Sequence, residues 1–158
     1  VVFTRAANVY GPGQQLYRII PRAMLSARTG KPMQLHGGGY SERCFIHIHD
    51  VVRATLQLAF EAEPGTTWHL STQEPISIRA LVERICTRCN VEFGSIVEEA
   101  GERLGKDQSY LLDSTSMREA FGWSDQVNIE DGLSETLAWV DDHLNHLNTL
   151  PWTYQHKA

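Results

Sequence analysis

Apolar positions along this chain fall into short alternating runs and longer helical stripes, and the two kinds take turns. Val1-Val2-Phe3-Thr4 opens the sequence as a β-type run, of the kind seen in a strand buried on both faces of a parallel sheet. The turn-rich segment Asn8-Val9-Tyr10-Gly11-Pro12-Gly13 follows and predicts a loop at the C-terminal end of that strand, where α/β proteins bind ligands. From Tyr17 to Ala27, the residues Ile19, Ile20, Ala23, Met24 and Ala27 recur at helical spacing, with Pro21 admissible in the first turn. Met33 to His36 alternates as a strand, Gly37-Gly38-Gly39 predicts a flexible loop, and Arg43 to Ile48 predicts a second strand running into a helix that Asp50 caps. On that helix Val52, Leu56, Ala59 and Phe60 form one stripe, the predicted buried face.

Glu63-Pro64-Gly65 closes the helix ahead of a strand from Thr67 to Ser71, and Ser77 caps the next helix, which carries Ile78, Leu81, Val82 and Ile85. Short strands are expected around Ser95 to Glu98 and at Tyr110 to Leu112. A short helix begins at Asp113-Ser114 and ends at Phe121-Gly122-Trp123. The last helix, from Ile129 to about Leu147, presents Leu133, Leu137, Val140 and Leu144, and an extended tail follows from Pro151. No solenoid repeat or low-complexity tract interrupts this α/β alternation.

With 158 residues, 42% of them hydrophobic and 21% charged, the chain can bury the core of one domain. Its 14 Lys and Arg against 19 Asp and Glu form no single-sign block, so neither nucleic acid nor a membrane surface is an expected partner. A membrane-length apolar run and a signal-peptide pattern are both missing, which points to the cytoplasm. Three cysteines do not suit a secreted disulfide framework. Cys86 and Cys89 continue the apolar face of a helix, so buried thiols are expected rather than a zinc or redox pair. His47, His49 and Asp50 are close enough in sequence to raise a metal reading, because two strand residues two apart share a face. Asp50 is better explained as a cap and no further ligand is evident, so no metal is expected.

One ordered series remains: Arg5, Asn8-Val9-Tyr10-Gly11-Pro12, Ile20-Pro21, Gly30-Lys31-Pro32, Gly37, Arg43, Asp50 and Phe121-Gly122-Trp123. It resembles the nucleotide-sugar epimerases and dehydratases of the extended short-chain dehydrogenase/reductase class, the dTDP-glucose 4,6-dehydratases most of all, and it spans nearly the whole chain. The resemblance implies the C-terminal part of a Rossmann-type fold, with the final strand and its loop in residues 1–12 and a small mixed α/β substrate-binding domain in 13–158. The half that binds NAD would lie upstream of Val1.

The resemblance also implies roles for particular residues. Asn8 would contact the sugar diphosphate, as an amide can, although alone it reads equally well as a turn cap. Arg43 would bind the diphosphate through its planar fork; without the resemblance it is a strand-edge surface residue. Arg18 stands where relatives have a basic residue beside the Ile-Pro pair, and His36 where they often have a group packed beside the nucleobase, though a lone strand His is more often structural. Arg103 survives from a run like R-P-G-x-x-x-R, which here reads Arg103-Leu104-Gly105-Lys106-Asp107-Gln108-Ser109, so the second phosphate-binding Arg is missing.

Neither the glycine-rich G-x-x-G-x-x-G turn nor a Tyr-x-x-x-Lys pair occurs in these residues, so the chain is not expected to catalyse alone the NAD-dependent reaction, lyase or isomerase, of its parent. The expected function is the nucleotide-sugar-binding portion of such an enzyme; the alternative is a non-catalytic α/β binding or scaffold module derived from the same family. A homodimeric parent and a monomeric fragment are expected, because the family's dimer helices lie in the cofactor half.

Overall fold

In the computed structural model, which describes residues 1–101 and 108–154, the opening apolar run becomes β1 (Phe3–Ala6). It pairs in parallel with β5 (Thr67–Leu70), Phe3 opposite Thr67 and Ala6 opposite Leu70. The Asn8 segment is not a loop from its first residue. Asn8–Tyr10 forms β2, because after the Ala7 amide donates to the Leu70 carbonyl the chain crosses to a new partner, β4 (Glu42–His47). Asn8 stands opposite Phe45, and Tyr10 opposite His47, in a parallel ladder. The turn comes one residue later, at Gly11, whose φ of 146° excludes most side chains and whose Cβ would meet Ile48 Cγ2 at 2.6 Å.

β4 is the hub of this sheet. It also pairs antiparallel with β6 (Pro75–Ser77), a strand too short to show as alternation, and in parallel with β8 (Ser109–Tyr110). A separate parallel pair joins β3 (Met33–His36) to β7 (Val97–Ala100). The strand expected at Ser95 starts only at Val97, because a short helix, α4 (Phe93–Ile96), occupies the preceding residues. Gly37–Gly39 are a 3-10 turn rather than a flexible loop.

Three helices cover one face of β4. α1 (Ile19–Thr29) stops at Gly30, which adopts the left-handed conformation of a C-terminal cap. α3 (Ile78–Cys89) begins as expected, with the Ser77 hydroxyl accepting from the Ala80 amide at 3.1 Å. α6 (Ile129–Leu147) is capped by Asn128, which accepts from the Asp131 amide. Ile20, Met24, Leu81, Ile85, Leu133, Val140 and Phe45 close into one core. Cys86 and Cys89 are buried in it as free thiols; desolvation pushes Cys86 up to about 11 and raises Cys89 as well, which leaves them unreactive at neutral pH.

The other face of β4 meets α2 (Ile48–Glu61), and here the predicted stripe is wrong. Ala54 and Leu58 are buried against Ile46 and Leu70, whereas Val52, Leu56 and Phe60 are 46%, 56% and 86% exposed. The helix carries two apolar stripes, and packing selects the one that continues from Val51. α5 (Thr115–Phe121) completes this smaller cluster through Met117. In the tail, the Trp152 indole donates to the Leu147 carbonyl at 3.1 Å and lies under the Lys31 ammonium, so the chain is docked there after α6. No helix among the described residues is long and apolar enough to cross a membrane.

Candidate functional site

Parallel pairing of β2 with β4 decides which side chains converge. Alternation along a strand puts Asn8 and Tyr10 on the same face as Arg43, Phe45 and His47. At one end of this face lies a cleft of about 620 Å3, lined by Asn8, Gln14, Tyr17, Arg18, Ser41 and Arg43 among others. Asn8 donates its side-chain amide to the Cys44 carbonyl at 3.4 Å, a long bond. Gln14 donates to the Val9 carbonyl at 2.5 Å, tying the turn after Gly11 back onto β2.

Arg43 is half-buried and donates to the Glu42 carbonyl at 2.6 Å and the Gln108 carbonyl at 3.5 Å. A guanidinium is a planar fork of donors, and these bonds orient it at the cleft. Arg18 sits exposed at the N-cap position of α1, its guanidinium 5.3 Å from the Tyr17 ring centroid, and Tyr17 is packed edge-on against Tyr154. The cleft thus combines two cations, three carboxamides and two aromatic rings.

Of the residues singled out from sequence, Asn8, Arg18 and Arg43 share this cleft. His36 is not among its lining: it closes β3 and its Nδ1 faces the carbonyl of Gly101, the residue just past the end of β7, at 3.3 Å. Arg103 and Lys106 lie outside the described residues. Gln14, Tyr17 and Ser41 were not anticipated, since each looks like an ordinary loop residue until β2 and β4 are side by side. A second hollow of about 180 Å3, lined by Thr72, Arg84 and Asn128 among others, touches the first site only through Phe45.

The far end of the same face is built differently. The Tyr10 ring packs edge-on against Phe45 and against His47, at centroid distances of 6.5 and 5.2 Å. Tyr10 is buried and held above its usual pKa, by desolvation first and by the nearby charges of Asp50, Glu135, Asp131 and Glu130. Burial also lowers His47, against the opposing pull of Glu135, so its imidazole is neutral at pH 7. His49 does not share a strand with His47, as expected from sequence; it lies in the first turn of α2, where its amide donates to His47 Nδ1 at 3.4 Å. The α2 cap is therefore His47 and not Asp50. The Asp50 carboxylate is buried and serves as a latch: it accepts from the Gln126 and Val127 amides at 2.9 and 3.1 Å and from Arg53 at 2.7 Å. That holds the segment before α6 against the start of α2.

Residues 1–70 match the model of the NAD dependent epimerase/dehydratase family. The chain is 32% identical over 139 residues to the trifunctional UDP-glucose 4,6-dehydratase/UDP-4-keto-6-deoxy-D-glucose 3,5-epimerase/UDP-4-keto-L-rhamnose-reductase of Arabidopsis thaliana, across 88% of this chain and 21% of that protein. The structure of the dTDP-glucose 4,6-dehydratase of Streptomyces venezuelae, with NAD and TYD bound, superposes with a TM-score of 0.88 at 26% identity, over 92% of this chain and 45% of that one. The UDP-glucose 4-epimerase of Thermotoga maritima, with UDP-glucose, gives 0.83 at 26% identity, over 90% and 46%. The fold is thus the mixed α/β, Rossmann-type arrangement of the extended short-chain dehydrogenases, and the chain spans less than half the length of each of these proteins.

NAD is bound in the solved Streptomyces venezuelae relative, but among the described residues the glycine cluster Gly37–Gly39 does not form a dinucleotide turn. A dinucleotide turn runs from a strand through glycines into a helix N-terminus, and the cluster Gly37–Gly39 leads from β3 into β4 instead.

Proposed function

We propose, from the match of residues 1–70 to the NAD dependent epimerase/dehydratase family model, that the chain supplies the nucleotide-sugar-binding part of such an enzyme, with residues 13–158 as the substrate domain and NAD held by residues outside this chain. The observation that carries the reading is the β2–β4 register, which brings Asn8 and Arg43 to one cleft with Arg18 at its rim. An oriented guanidinium and a carboxamide suit a diphosphate, and charge-assisted bonds from Arg are the stronger kind. Solved relatives hold ligands of this chemical class, UDP-glucose in the Thermotoga maritima epimerase among them. A Tyr-x-x-x-Lys pair is absent from these residues, so the chain binds and orients the sugar nucleotide and does not remove its hydride.

Titration of the chain with dTDP-, UDP-, GDP- and CDP-sugars, and separately with NAD, tests this by calorimetry or heteronuclear NMR. One sugar nucleotide should bind, NAD should not, and Arg43→Ala should weaken binding about tenfold or more. Equal binding by wild type and Arg43→Ala would overturn the placement of the site, and absence of binding to every ligand would favour a scaffold role.

A further inference from the structure

The His47 end of the Asn8–Arg43 face has no part in the sugar-nucleotide site, yet three potential ligands meet there. His47 is fully buried, and its Nε2 has no hydrogen-bond partner. That nitrogen faces Glu135 Oε2 at 3.6 Å, while Glu135 Oε1 faces His49 Nε2 at 3.8 Å. One donor atom from each of the three residues lies within 4.8 Å of the others. Three elements contribute: His47 ends β4, His49 opens α2 and Glu135 projects from α6.

We propose that His47, His49 and Glu135 form a binding site for a borderline divalent transition-metal ion, zinc or a relative of it. The physical case begins with distances. Zinc binds imidazole nitrogen and carboxylate oxygen at about 2.0–2.2 Å, so tetrahedral ligand atoms stand about 3.4 Å apart. The two imidazole–carboxylate separations, 3.6 and 3.8 Å, exceed that by little, the three donor atoms lie within 4.8 Å of one another, and the Glu135 side chain, 43% exposed, is free to close the difference. Two imidazoles and one carboxylate are a donor set that selects zinc, nickel or copper over magnesium or calcium. The charge of the surroundings agrees, since Asp50, Glu130, Asp131 and Glu135 all act on Tyr10, whose ring packs against His47. Such a field offsets the positive end of the α2 dipole.

Access and chemistry are also in order. The His49 side chain is 62% exposed, so the ion enters from solvent with His47 as the buried ligand at its back. In the metal-free protein the His49 amide donates to His47 Nδ1, which places the ring proton on Nε2, toward Glu135. Metal binding at Nε2 shifts that proton to Nδ1 and gives up this long bond of 3.4 Å, with no net release from the ring. Three protein ligands leave a fourth position to water. The ion would clamp the start of α2 to α6 behind the strand that carries Asn8.

The test uses the full-length protein that carries this chain, freed of any polyhistidine tag and treated with chelator. Zinc titration by calorimetry, with cobalt as a spectroscopic probe, is compared among wild type, His49→Ala and Glu135→Gln; both altered side chains are exposed enough to leave folding intact. A saturable site whose zinc affinity falls about tenfold or more in each variant, with cobalt d–d bands lost alongside, supports the proposal. Zinc affinity unchanged in both variants, or no saturable zinc binding in wild type, overturns it. A thiolate-to-cobalt charge-transfer band would assign the metal to cysteine instead of this site, and that too overturns it.

Discussion

The two faces of β4 meet unequal neighbours. On the Phe45 side, α1, α3 and α6 enclose a core from Ile20 to Leu147 in which the apolar stripes find partners within the chain. On the Ile46 side, a smaller cluster forms between α2, β5 and α5, and beyond it Phe3, Val52, Leu56 and Phe60 stay exposed. Scattered surface apolar residues are ordinary, but a helix with a second full stripe exposed beside an uncovered strand is not. One layer is self-sufficient; the other carries more apolar surface than its own residues cover. In a chain that spans less than half of the relatives it matches, the cleft belongs to the self-sufficient side, which is what allows a separable substrate domain to be tested at all.

The link between the two layers is the most sensitive point. Asp50 starts α2 on the smaller side and latches Gln126 and Val127, which lead into α6 on the larger. Asp50→Ala leaves two amides and Arg53 without their buried acceptor and is expected to cost about 3 kcal/mol. Urea unfolding measures the loss, and a broad or two-step transition would show the layers coming apart. A loss below about 1 kcal/mol, near that of one ordinary hydrogen bond, would deny the latch.

A smaller effect is expected within the larger layer, where Arg28 on α1 donates to both oxygens of Asp141 on α6 at 2.6 and 2.8 Å. The Arg28 hydrogen bonds hold the Asp141 carboxyl below the usual carboxylate range. A carboxyl whose folded pKa is depressed stabilises the fold above its unfolded pKa, and that contribution is lost as pH falls through the folded value. Asp141→Ala should therefore cost under about 1 kcal/mol near neutrality, since the side chain is 42% exposed and solvent-screened. The difference from wild type should vanish in strong acid. A difference that persists there would mean lost packing rather than lost charge.

The smallest change in stability is expected where the comparison is sharpest. Replacing Leu56 and Phe60 together by Lys should move unfolding stability by no more than about 0.5 kcal/mol per site, as exposed positions do. The same double variant should lower any excess over the monomer mass in light scattering, because it removes the apolar stripe that favours association. A stability loss of several kcal/mol would show that these residues are buried by their own chain and would erase the contrast between the layers.

Much of the architecture was legible because it rests on short-range chemistry. Helical spacing located α1, α3 and α6, Ser77 and Gly30 marked their ends, and the cysteines on the α3 apolar face were recognisable as buried. Each of those signals acts within a few residues, through a cap, a turn or a stripe. Asn8 and Arg43 could be chosen because they belong to an ordered series of landmarks, and Arg18 because it stands beside that series' Ile20-Pro21 pair.

What the sequence could not decide depends on partners far away in the chain. The spacing of α2 allows two apolar stripes, and only β4 and β5 determine which is buried. Asp50 has the local look of a cap, yet its acceptors are used by amides 76 and 77 residues on. His47 and His49 are near neighbours in sequence, but Glu135 reaches them only because α6 crosses the end of β4. Local propensity is set by bonds and sterics between close residues, whereas burial and the convergence of ligands are set by which surfaces meet, so the helices are written in the sequence and their sites are written in the packing.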